Sequence, residues 1–121
     1  MIPSVHDKPI LPVPTEEHAS LAAQTFRMLA DPTRVKILWV LLQGEASVTA
    51  LSELVGSSPT AVSQHLAKLR LAGLVDSRRE GTFIHYSAQD LHVRRLLAEA
   101  LSHAEHETGI ASGTDQHAYR I

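Results

Sequence analysis

Between Ser47 and Ser87 the chain is divided into short pieces by breaks whose spacing leaves few folds open. Gly56-Ser57-Ser58-Pro59 separates two stretches of helical periodicity, Gly73 closes the second, and Glu80-Gly81 sits between two runs of strand formers. Glycine supplies the left-handed turns that other residues avoid, and proline suits the first position of a helix. Ser47 can cap a helix whose inner face holds Leu51, Leu54 and Val55. A second helix opens at Pro59 or Thr60, turns Val62, Leu66, Leu69 and Leu71 inward and ends near Gly73. Strands follow over Leu74 to Arg79 and Thr82 to Ser87, with Glu80-Gly81 as a tight hairpin turn. Helix, four-residue turn, helix and hairpin together predict a helix-turn-helix with a wing.

The flanks extend this to a mainly α fold, five helices plus a two-stranded β-hairpin wing, arranged as a homodimer. Thr15, followed by Glu16 and Glu17, starts a first helix with Leu21, Ala22, Thr25, Phe26 and Leu29 on one stripe, running to about Ala30. Asp31-Pro32 restarts the chain as cap and first helical residue. Thr33 to about Gln43 is apolar nearly all round and predicts the core helix, with Trp39 and Met28 also in the core. Ser87 to Asp90 opens a fifth helix reaching about Glu107, where Leu96, Leu97, Ala100 and Leu101 would form the dimer core. Residues 1–14 hold four of the six prolines and predict a flexible arm; 15–107 form the domain, and 108–121 a loose tail.

The 121 residues suffice for one domain with a modest core. There is no cysteine, so disulfides and thiolate metal sites are excluded. No segment approaches the ~20 apolar residues of a membrane span, and the N-terminus lacks the features of a secretory signal, which predicts a cytoplasmic protein. The net charge is −2, yet Ser57 to Ser87 holds four Lys or Arg against two acids, so this face is locally basic.

Small polar residues crowd the start of the second helix of the helix-turn-helix: Ser57, Ser58, Thr60, Ser63, Gln64 and His65. A recognition helix presents such short donors and acceptors to base edges in the major groove. Gln64 suits adenine; Ser63 and His65 suit a base or a phosphate. Lys68 and Arg70 suit the sugar–phosphate backbone. Arg78 and Arg79, with Thr82 across the turn, suit a wing touching backbone or minor groove. The expected partner is double-stranded DNA.

The fifth helix carries a second pattern: Asp90-x-His92, then His103-x-x-His106. At about 100° per residue, the step from His92 to His103 returns to nearly the same face. At about 1.5 Å per residue, the two are still roughly 16 Å apart along the axis. One helix therefore cannot close both ends on a single ion. An antiparallel second copy can, which predicts two metal sites across a dimer interface. Without thiols, His and carboxylate favour zinc, nickel or cobalt. Four protein ligands leave no open position for a catalytic water, so an enzyme is not expected.

Taken together, Phe26-Arg27-Met28-Leu29-Ala30-Asp31-Pro32-Thr33-Arg34 with Ile37-Leu38, Val62 to Arg70, Ala72-Gly73-Leu74-Val75, and Arg79-Glu80-Gly81 with Tyr86 resemble the ArsR–SmtB family of metal-responsive winged-helix repressors over residues 19–107. The resemblance implies a dimer through the first and fifth helices and release of operator DNA on metal binding. The family's thiolate site on the third helix is absent, because Leu51-Ser52-Glu53-Leu54-Val55 has no Cys. Its fifth-helix site matches Asp90 and His92 of one chain with His103 and His106 of the other, a set suited to Zn(II). One alternative is the Ni(II)/Co(II) branch, which reaches six ligands through the chain ends; His6, Glu105 and His117 are the candidates here, with Glu107 nearby. The other is a metal-independent winged-helix regulator. His103 would pass the signal by donating its second ring N–H toward the recognition helix.

Overall fold

The computed structural model describes residues 11–109 and Tyr119. Five helices and one hairpin follow in the expected order: α1 (Glu16–Leu29), α2 (Pro32–Leu41), α3 (Val48–Val55), α4 (Pro59–Leu71), β1 (Asp76–Glu80), β2 (Phe83–Ser87) and α5 (Leu91–Thr108). Each helix start is set by a capping side chain. Thr15, Asp31, Ser47, Ser58 and Asp90 accept from the backbone N–H groups of His18, Arg34, Ala50, Ala61 and Val93. The core gathers Ile37, Leu38 and Leu41 of α2, Leu51 and Val55 of α3, Val62, Leu66 and Leu69 of α4, and Val93 and Leu97 of α5.

Several boundaries differ from the expectations. Leu71 is 90% exposed. It stands two residues past Leu69, about 200° round the helix, and so leaves the Val62–Leu66–Leu69 stripe. Leu54 is likewise exposed, while Leu97 is buried in its own protomer's core. Trp39 and Met28 are only half-buried, and Tyr119 meets Trp39 edge-on with centroids 5.7 Å apart. Leu74 does not start the first strand. After α4 the amide of Gly73 donates to Arg70 O and that of Leu74 to Leu69 O, a Schellman ending that needs Gly73 at φ +77°.

The antiparallel hairpin pairs Asp76 with Ser87 through to Glu80 with Phe83. Its two loop residues are therefore Gly81 and Thr82, one position later than expected. Gly81 alone has positive φ, as a hairpin loop with glycine first requires. The wing is anchored to the body twice. Ala46 and Tyr86 exchange backbone hydrogen bonds, and Arg78 holds Glu45 in the loop before α3 at 2.7 and 2.8 Å. Among the described residues no helix is long and apolar enough to cross a membrane.

Candidate nucleic-acid interface and metal-binding helix

The surface of α4 divides cleanly. Val62, Leu66 and Leu69 are buried, while Thr60, Ser63, Gln64, Ala67, Lys68 and Arg70 are exposed. Thr60, Gln64, Ala67 and Leu71 follow i, i+4, i+7, i+11, so one accessible stripe runs the length of the helix. Ala67 and Leu71 belong to that stripe and were missed because they are apolar; such side chains suit a thymine methyl. Ser58 is exposed, though its Oγ is engaged by the amide of Ala61; Ser57 is half-buried, and its carbonyl accepts from Ser52 Oγ.

Two expected DNA contacts are placed differently. His65 lies on the inner side of α4, with Nδ1 3.5 Å from Arg34 Nη1 and Nε2 3.7 Å from Asp31 Oδ2. Inward orientation follows from its position one residue before Leu66 and three after Val62. Arg78 is not at the wing tip, since it pairs with His85 across the strands, and its guanidinium is shared by Glu45 and Glu80. Those hydrogen bonds raise the Arg78 pKa and hold the Glu45 and Glu80 carboxyls below their ordinary range. Arg79 is exposed with no ion pair among the described residues, and Thr82 is exposed in the loop.

On α5, His92, Leu96, His103 and His106 are exposed and lie within about 80° of one another around the axis. The opposite stripe of Val93, Leu97 and Ala98 is buried. Asp90 caps the helix with Oδ1, at 3.0 Å from Val93 N, which leaves Oδ2 open. Asp90 and His92 border a cavity of about 340 Å³ whose other walls include Ala22, Thr25 and Phe26 of α1. His103 stands at the far end with Nε2 3.8 Å from Glu107 Oε1. It makes no hydrogen bond to α4, so the expected relay from its ring is not formed within the protomer. Among the described residues no three His, Asp or Glu side chains gather into a metal-binding group. Helix geometry explains this, because the two donor pairs sit at opposite ends of α5.

Over 95 residues, covering 78% of this chain and 72% of its relative, the sequence is 50% identical to the HTH-type transcriptional regulator KmtR of Mycobacterium tuberculosis. Residues 31–77 match the family described as bacterial regulatory protein, arsR family. The chain belongs to the arsR family. It is a helix-turn-helix transcriptional regulator, not an enzyme. It is also 40% identical over 82 residues to a Staphylococcus aureus cadmium resistance regulatory protein, the CadC homolog, covering 67% of this chain and 68% of that one. Its fold superposes on the antimony-specific repressor AntR with a TM-score of 0.73 at 32% identity, over 90% of this chain and 96% of that chain.

Within this arsR-family protein the helix-turn-helix face and the α5 stripe are separate surfaces. Glu105, a candidate extra ligand, falls on the stripe of Leu101, about 100° from His106, and its Oε1 is buried without a partner. It is turned away from the other donors. His6 and His117 lie outside the described residues.

Proposed function

We propose that the protein is a homodimeric, metal-sensing repressor that releases its operator when a divalent ion joins Asp90 and His92 of one protomer to His103 and His106 of the partner subunit. One observation carries this: the three histidines share the exposed stripe of α5, and none of the described residues buries it. A partner for that stripe is to hand, because α1 beside it has no buried residue and leaves Leu21 and Phe26 more than half exposed. An antiparallel copy covers both and brings each Asp90-x-His92 beside a His103-x-x-His106.

The donors fit such an ion. Asp90 Oδ2 is free while Oδ1 fixes the side chain as a cap, so a ligand is oriented by the helix it starts. Three imidazoles and one carboxylate suit tetrahedral Zn(II). Cadmium and antimony, named for two relatives, favour thiolates, and this chain has none. The ion fixes one relation between the α5 helices. Where that relation fits the operator poorly, metal and DNA oppose each other through a reciprocal coupling, typically about 5- to 150-fold in affinity.

Competitive titration with Zn(II), Ni(II) and Co(II), with and without operator DNA, tests this reading. It predicts two ions per dimer, weaker operator binding, and intense tetrahedral Co(II) bands that vanish in His103→Ala. Weak octahedral bands would assign the ion to the nickel and cobalt class. Absence of binding tighter than micromolar would contradict metal sensing.

A further inference from the structure

The end of α1, the start of α2 and the middle of α4 meet around Arg34. Its Nε donates to Met28 O at 2.7 Å and its Nη2 to Arg27 O at 3.2 Å. These carbonyls belong to the last turn of α1, where later backbone amides run out; Arg27 O also accepts from the Ala30 amide at 3.3 Å. Arg34 therefore caps α1 and places its cation at the negative end of that helix. Its third contact is Nη1 to His65 Nδ1 at 3.5 Å, across thirty-one residues of sequence. Arginine has donors only, so with a neutral ring Nδ1 accepts and the ring proton sits on Nε2. That nitrogen faces Asp31 Oδ2 at 3.7 Å, and the same oxygen accepts from the amide of Arg34 at 3.0 Å. The imidazole is 22% exposed, wedged between the cap of α2 and the cap of α1.

The placement of these groups matters more than their individual strength. His65 adjoins Ser63 and Gln64 on the accessible face of α4, yet its own ring points back at α1 and α2. Apart from this cluster, α1 meets the core through half-buried Leu29, and it has no fully buried residue of its own. We propose that Arg34 and His65 are positioning residues that fix the angle between α1 and α4, and through it the separation of the two recognition helices in a dimer. This rests on α1 being a dimer helix, as argued above. Neither residue touches DNA in this scheme. A rigid joint makes the dimer read two half-sites at one spacing, and a loosened joint lets each α4 bind as before while the pair loses its register.

A contact residue and a joint residue are separated by comparing DNA with two half-sites against DNA with one. The DNA is selected from random sequence by the wild-type protein, and binding is followed by fluorescence anisotropy. His65→Leu keeps volume and removes both polar contacts; His65→Asn keeps a short acceptor for Arg34. The joint predicts that His65→Leu lowers the preference for two half-sites over one by about 2- to 30-fold. Single half-site affinity and melting temperature stay at wild-type values, and His65→Asn recovers most of the preference. Equal loss on both DNAs would make His65 a contact residue and overturn the proposal. So would unchanged preference in a folded, dimeric His65→Leu. Sedimentation of the wild type separates the two readings: a monomer sinks the dimer reading, whereas a dimer with an indifferent His65→Leu sinks the joint alone.

Discussion

Asp31 shows how much one side chain decides. It caps α2 by accepting from the amide of Arg34, and that hydrogen bond is the main reason its pKa lies below the ordinary carboxylate value; His65 and Arg34 add to it. A carboxyl with a depressed folded-state pKa stabilises fully above its unfolded pKa and loses this as pH falls through the folded value. Asparagine caps nearly as well but does not titrate. Asp31→Asn is therefore expected to match wild type within about 1 kcal/mol at neutral pH and to lose less stability toward pH ~3. Urea unfolding across that range checks it; parallel acid curves would contradict the role given to the cap. Asp90 likewise caps its helix through one oxygen and has the other left over, which suits it both to start α5 and to bind an ion.

At the scale of the elements, α4 separates what supports the fold from what faces outward. Leu69 is fully buried and Leu71 is 90% exposed, two residues apart. Leu69→Ala is expected to lower unfolding free energy by about 2–5 kcal/mol, and Leu71→Ala to change it by less than about 0.5 kcal/mol. Equal losses in denaturant titration would show that α4 sits differently on the core. The order of helices and hairpin was legible in the sequence because caps, glycines and periodicity all agree there. The register within them was less so. Leu71 has the composition of a core residue but the wrong angle, and the hairpin loop slipped by one because Glu80 can pair as well as turn. His65 and Arg78 read as DNA contacts from their polarity; Arg78 has Glu80 two residues on, but the other partners, Arg34, Asp31 and Glu45, are more than thirty residues away in sequence and invisible to local pattern.

Among the described residues the single chain leaves three things open: α1 without a buried residue, an exposed histidine stripe, and donor pairs at opposite ends of α5. The proposed dimer would answer all of these at once. The spacing in α5 was legible because helix geometry alone forbids closure within one chain. The ion itself was not, since Asp and His serve several metals. The most direct test mixes two defective chains. One carries Asp90→Ala and His92→Ala, the other His103→Ala and His106→Ala, with separate tags so that the heterodimer can be isolated. Each mutant homodimer lacks half of both sites. In the heterodimer, one site regains all four donors and the other has none. The account predicts one Zn(II) per heterodimer at wild-type affinity and none in either homodimer. A heterodimer that binds no ion, or a mutant homodimer that still binds two, would contradict a site shared between protomers.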